Sequence, residues 1–406
     1  MDAEGITLDD LVREKRMLVC VGSGGVGKTT LSAALALAAA RRGRRAVVCT
    51  IDPARRLADS LGIRELGNEV KKIPEARLAE GGAPLAPGGA LYAMMLDVKR
   101  TFDRLIERYA PDSASAERIM KNHFYQKISS QLAGSQEYMA MEKLYELFHE
   151  GRFDLIVLDT PPTKHALDFL SAPKRLTDFL AGSVLEWFVM PYFKAGRFGF
   201  SIASRVARKA IEWADDLFGM AFLKELNEFF IAFEGLYAGF RERAEKVSEL
   251  MKRADLNAFI VVTGPARDTV GEARFFIEKL REFAMPVGGV IANRVHPEFG
   301  CEADARRPLC RALEDERAMR ALEEAARAAL GAEPALERAF GKALENFCEF
   351  EALARADREH LEPLLSTIRE AGLFTRVIPA FERDVHDIAG LVRLDPILFG
   401  EPAPAP

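Results

Sequence analysis

Residues 22–29 read Gly-Ser-Gly-Gly-Val-Gly-Lys-Thr, and no other stretch limits the fold as tightly. Its glycines let the backbone turn successive N–H groups to one side, with no Cβ in the hollow they form. The stretch follows the apolar run Met17–Val21 and precedes Thr29–Arg42, which is rich in Ala and Leu and lacks Gly and Pro, as a helix prefers. A second apolar run, Ala46–Ile51, is broken by Asp52-Pro53. Strand, glycine loop, helix and strand within roughly 35 residues make a βαβ unit. Further continuous apolar runs at Leu91–Leu96, Leu155–Leu158, Phe259–Val262, Val287–Ala292 and Thr375–Ile378 read as buried strands. Most end in polar, Pro- or Gly-containing turns, as at the carboxyl edge of a doubly wound sheet. The expected fold is therefore α/β: a doubly wound, mainly parallel sheet interrupted by helical insertions.

The glycine stretch also satisfies G-x-x-x-x-G-K-[ST] at every position, which defines a phosphate loop. Backbone amides and the positive end of the following helix would face phosphate oxygens. Lys28 would hold the β- and γ-phosphates, and the Thr29 hydroxyl would ligate Mg²⁺. Nucleotide binding is thus expected from Gly22, Ser23, Gly24, Gly25, Val26, Gly27, Lys28, Thr29 and Thr30. A dinucleotide fingerprint, with Gly22, Gly24 and Gly27 as its glycines and Asp52 as its ribose acid, also fits, but it leaves Lys28 and Thr29 unexplained. Asp52 (in Thr-Ile-Asp-Pro-Ala, 50–54) and Asp159 (in Asp-Thr-Pro-Pro-Thr, 159–163) end the second strand and the strand Leu155–Leu158. Acids so placed suit Mg²⁺-assisted phosphoryl transfer, one orienting water and the other the water shell of the metal. A lone Asp beside Pro is more often a turn or capping residue; beside this loop the chemical reading is stronger.

Gly22–Thr30, Asp52-Pro-Ala54 and Asp159-Thr-Pro-Pro-Thr-Lys-His-Ala-Leu167 together resemble the family of the arsenite-pump ATPase ArsA and the ATPase that targets tail-anchored membrane proteins. The resemblance extends over most of the chain and is most specific at these segments. It implies an ATP- and Mg²⁺-dependent hydrolase of the dimerising class that also holds MinD and ParA. In that class Asp52 would act on the hydrolytic water in switch I, and Asp159 would open switch II. It further implies that Asn293 contacts adenine and that the turn Pro379-Ala-Phe381 closes over the base. His165, on the switch II path, reads as a packing or capping residue.

The sequence also departs from that family. The signature lysine after the first loop glycine is replaced by Ser23, which cannot stabilise charge across a dimer. Arg55 and Arg56 could serve instead as arginine fingers, although two arginines at a helix start are usually just solvated. The targeting ATPase bridges its dimer with a zinc held by a CxxC pair. Cys301 and Cys310 stand nine positions apart, with His296 as the near histidine, a poor spacing for tetrahedral zinc. Cys20 and Cys49 lie within strand candidates and read as small core residues rather than metalloid ligands. The pump ATPase is two halves in tandem; this chain supplies one, so a second site would come from another subunit.

Composition narrows the remaining classes. The 406 residues carry 56 Lys and Arg against 61 Asp and Glu, a net charge of −5 that gives nucleic-acid binding no support. Five cysteines do not make a disulfide framework, and the acidic start MDAEGITLDD is no signal peptide. No stretch reaches the roughly 20 apolar residues of a membrane span. The expectation is a cytoplasmic protein, not an integral membrane one. Residues 1–400 read as a single ATPase domain with a helical insertion at 97–150, a loop over Lys71–Ala90, an Ala/Glu/Arg/Leu-rich helical stretch at 300–370 and a disordered tail at 401–406. Residues 171–250 hold both tryptophans, with an apolar face spaced at three and four (Phe222, Leu226, Phe229, Phe230, Phe233, Tyr237). That face is either the core of a helical subdomain or a groove for an apolar helix of a client. The sequence thus reads as an ATPase switch that works as a homodimer or heterodimer and hands over a partner. Its rivals are an energising subunit for arsenite, antimonite or other anion efflux, a spatial organiser of the ParA or MinD kind, and a slow ATP-dependent binding module.

Overall fold

The computed structural model describes residues 5–51, 56–63, 66–110, 112–122, 125–126, 135–161, 242–243, 245–297, 316–330 and 334–400. Eight strands form one sheet: β1 (Met17–Gly22), β2 (Arg45–Thr50), β3 (Lys71–Lys72), β4 (Ala90–Met95), β5 (Leu155–Asp159), β6 (Asn257–Thr263), β7 (Val287–Val295) and β8 (Phe374–Pro379). Their order across the sheet is β3-β4-β2-β5-β1-β6-β7-β8. Every pairing is parallel except that of β3 with β4. All seven apolar runs recognised in the sequence are strands. The central ones are buried on both faces, which is why they read as continuous rather than alternating patterns.

Alternate residues divide two cores. Met17, Val19, Val21, Ile156 and Leu158 face one apolar layer, whereas Leu18, Cys20, Leu155 and Val157 face the other. The first layer is covered by the helices Val98–Tyr109, Ser113–Lys121, Ser135–His149, Arg267–Glu282 and part of Pro334–Glu370. The second is covered by Leu8–Glu14, Lys28–Arg41 and Ile388–Phe399. Helix Lys28–Arg41 is buried nearly all round because strands lie on one side and the first and last helices on the other. Its run of alanines follows from that crowding: small side chains let three neighbours approach the same backbone. At its C-terminal end Arg41 and Arg42 bind Asp395, Arg42 also binds Asp9, and the Arg42 guanidinium lies 4.0 Å from the Phe399 ring centroid.

The loop expected over Lys71–Ala90 is corrected: it contains the antiparallel edge strand β3 and the helix Glu75–Glu80. Two residues of strand are too short to show a period, and the helix is tied in by one buried leucine, Leu78. The terminal helices Leu8–Glu14 and Ile388–Phe399 add to the expected elements. Both begin with a side-chain cap: Thr7 and Asp10 form a capping box, and Asp387 accepts from the Gly390 N–H. The aromatic stretch at 171–250 falls outside the described residues apart from its last few positions. Asp52–Arg55, His165, Cys301, Cys310 and the tail 401–406 also lie outside them.

Candidate nucleotide site

The parallel strands deliver their carboxyl ends to one edge, and β1 stands where the chain order reverses, with β5 on one side and β6 on the other. Open parallel sheets place ligands at such a point. Gly22 ends β1 so close to β6 that a Cβ there would lie 2.0 Å from the Val262 carbonyl oxygen. Gly27 has φ 93°, and a Cβ on it would meet the Asn293 amide nitrogen at 2.3 Å. Both positions therefore demand glycine, and the backbone between them wraps a concave hollow at the N-terminus of helix Lys28–Arg41.

Lys28 is buried and donates from Nζ to the carbonyls of Gly22 (2.9 Å) and Ser23 (2.7 Å), folding its ammonium over the loop. The Thr29 hydroxyl donates to Asp159 Oδ2 at 2.7 Å, and the Thr50 hydroxyl donates to the same oxygen at 2.8 Å. Sheet register produces this convergence, because Thr50 and Cys20 both pair with Asp159 across β2, β5 and β1. The next residue, Thr160, donates from its hydroxyl to the Cys20 carbonyl at 2.8 Å, pinning the exit of β5 to β1.

A cleft of about 910 Å³ opens over the loop. Gly24, Gly25, Gly27, Lys28, Thr29 and Thr30 form its floor, and Asn293, Pro379 and Phe381 line its far wall. The structure thus brings most of the sequence-derived site residues to one hollow, including the weaker matches Asn293, Pro379 and Phe381. Asn293 Nδ2 donates to the Val26 carbonyl at 2.8 Å, so the amide braces the loop from β7. Ser23 is buried, and its hydroxyl donates to Glu272 Oε2 at 2.5 Å, on helix Arg267–Glu282. Arg56 is exposed at the start of helix Arg56–Ser60 and also lines the cleft.

Several site residues escaped sequence reasoning. Thr50 had a usable signal, its place just before Asp52 at a strand end. Glu272, Arg294, Asp384 and the pair His296–Asp357 had none, because only tertiary packing brings each beside its partner. Asp357 is buried and accepts both the His296 backbone N–H (2.9 Å) and the ring Nδ1–H (2.7 Å), tying helix Pro334–Glu370 to the cleft wall. Cys20 and Cys49 are core residues as expected, and burial pushes both thiols up to about 12. Among the described residues no cluster of His, Cys, Asp and Glu could hold a metal by itself.

The residues nonetheless fit ATP with Mg²⁺. A glycine-walled hollow at a helix N-terminus suits polyphosphate, and a threonine hydroxyl that gives its proton to a carboxylate keeps its lone pairs for a cation. Residues 15–324 match the model of the ArsA ATPase family, described as anion-transporting ATPase. A putative arsenical pump-driving ATPase 1 from Aquifex aeolicus is 27% identical over 288 residues, which is 70% of this chain and 64% of the Aquifex protein. The chain thus spans slightly less than two thirds of that relative. An ATPase named get3 from Aspergillus terreus is 27% identical over 303 residues, 73% of this chain and 79% of its own length. ATPase GET3C from Arabidopsis thaliana is 26% identical over 298 residues, 71% and 68% of the two chains. The family match spans well over half of the 406 residues and begins just before β1, and on that ground the chain belongs to the ArsA family of ATPases.

Proposed function

We propose that the chain is a Mg²⁺-dependent ATP hydrolase working as a nucleotide-gated dimeric switch, which binds and hands over a protein partner with an apolar helix. The observation that carries this reading is the convergence of the Thr29 and Thr50 hydroxyls on one oxygen of Asp159. That carboxylate links the phosphate-loop helix to the exit of β5, the entry to switch II in this family, so a change at the γ-phosphate is felt where the chain leaves the sheet. Lys28 exchanges loop carbonyls for phosphate oxygens, and the amides of 24–29 hold the negative charge. Thr29 would ligate the metal, with Asp159 and Asp52 acting on its water shell. When bound, the metal neutralises phosphate charge and orients the transferring group. Asp52 carries the water-orienting role by family resemblance.

Among the described residues no helix is long and apolar enough to cross a membrane. The partner-handling part rests on resemblance at the switch segments and on the aromatic composition of 171–250. Efflux energised through cysteine–metalloid binding finds no support from Cys20 or Cys49, whose buried thiols stay protonated at neutral pH. A slow binding module is favoured by one observation: Ser23, at the signature-lysine position, spends its hydroxyl on a carboxylate.

Steady-state turnover of ATP with Mg²⁺ tests the proposal, with Lys28→Ala as the blank and with antimonite or a soluble apolar helical peptide added in turn. Turnover lost in the blank and altered by the peptide is the expected outcome. Stimulation by antimonite alone would replace it with the efflux reading. ATP binding with turnover no faster than the blank would leave the binding module.

A further inference from the structure

β7 ends in a bulge. Its pairing with β8 steps from Ala292↔Val377 to Val295↔Pro379, which sets Asn293 and Arg294 against a single residue. Arg294 takes φ 61°, a left-handed conformation that costs any residue bearing a Cβ. The Ala380 N–H donates to the Val295 carbonyl at 2.8 Å and pins the bulge. Adjacent side chains then grip adjacent carbonyls of the phosphate loop: Asn293 holds Val26, and Arg294 Nη1 holds Gly25 at 3.2 Å. The other arm of the guanidinium reaches Asp384 Oδ1 at 3.2 Å, on the segment between β8 and helix Ile388–Phe399. Arg294 therefore spans the cleft from floor to far wall.

This ion pair is open to water, with Arg294 57% and Asp384 86% exposed. Pairs so exposed add little stability, so the fold gains little from a strained arginine at this point. The loop meanwhile has no cation at position 23, where Ser23 faces the Glu272 carboxylate. A guanidinium resting on a neutral carbonyl beside a phosphate cradle is a planar fork suited to phosphate oxygens. We propose that Arg294 is a second phosphate-directed cation of this cleft beside Lys28, a nucleotide-binding residue supplied within the same chain that leaves Gly25 and Asp384 for nucleotide phosphate. Asp384 is then its internal competitor. The inference rests on the reading of the cleft as a nucleotide site.

Calorimetric titration of ADP and ATP with Mg²⁺ into the full chain tests it, using wild type, Lys28→Ala, Arg294→Gly, Arg294→Lys and Asp384→Asn. Glycine suits the backbone at 294, so Arg294→Gly keeps its thermal midpoint and serves as its own folding control. Arg294→Gly weakens both nucleotides roughly tenfold, the loss of one charge-assisted hydrogen bond. Arg294→Lys recovers part of that loss, and Asp384→Asn tightens binding about twofold to threefold by removing the competitor. A purely structural strap would make Asp384→Asn weaken binding as much as Arg294→Gly does, and that result overturns the proposal. Unchanged affinity in Arg294→Gly overturns it as well. Wild type that binds neither nucleotide better than Lys28→Ala would remove the nucleotide reading itself, and this inference with it.

Discussion

Two glycines, one carboxylate and two thiols carry predictions that single substitutions test. Gly27→Ala puts a methyl against the Asn293 amide at a φ of 93°, so the loop must shift while the rest of the sheet is untouched. ADP affinity falls by roughly tenfold or more in calorimetry, with little change in thermal midpoint. Gly22→Ala instead drives a Cβ into a backbone carbonyl of β6, which cannot rotate away, and the cost is stability, about 3 kcal/mol or more by chemical denaturation. Asp159→Asn keeps the shape but removes the charge that receives the Thr29 and Thr50 hydroxyls. Turnover should fall on the order of 100-fold with the fold retained. Cys20 and Cys49 should resist alkylation at neutral pH in the native protein and react only on unfolding, because burial holds both thiols up at about 12. At this scale the sequence was eloquent for the loop, since an unbroken phosphate-loop pattern admits few backbones. It was silent on Arg294 and Glu272, exposed charged residues whose phosphate-loop partners lie 269 and 249 positions away in the chain.

Elements are held in place by contacts remote from the cleft, and these separate folding from binding. Arg42 joins helix Lys28–Arg41 to both terminal helices through Asp9, Asp395 and the ring of Phe399. Arg42→Ala should cost about 1–2 kcal/mol in denaturant unfolding and leave nucleotide affinity unchanged. Asp154, just before β5, accepts from the Arg45 guanidinium and backbone N–H, which hold its carboxyl below the usual range. A lowered acid stabilises the fold above its unfolded value of about 3.9 and loses that contribution as pH falls through the folded value. Asp154→Asn should therefore flatten the acid limb of the stability curve between roughly pH 5 and pH 2, with no effect at higher pH on its slope. Element type was legible wherever a run was long and continuously apolar. β3 and helix Glu75–Glu80 were not, because two and six residues carry no measurable period, and their place is set by the neighbouring strand β4.

At the scale of the whole molecule, the proposed dimeric switch leads to an expected assembly. ATP with Mg²⁺ should convert the chain to a dimer in light scattering, and Lys28→Ala should stay in the nucleotide-free state; a monomer under both conditions would confine the switch to one subunit. The sequence by itself determined the parallel sheet, the glycine loop with its threonine and lysine, Asp159 at the end of β5 and the family. Each is written in contiguous residues whose backbone geometry or hydrophobic period is local. Tertiary structure alone decided that Thr50 joins Thr29 on Asp159, that Ser23 faces Glu272, and that a bulge in β7 aims Asn293 and Arg294 at neighbouring loop carbonyls. Those meetings depend on strand order and register, which put residues more than a hundred positions apart on one edge of the sheet. A local pattern cannot encode register between distant strands, because it is the packing of the whole sheet that selects it.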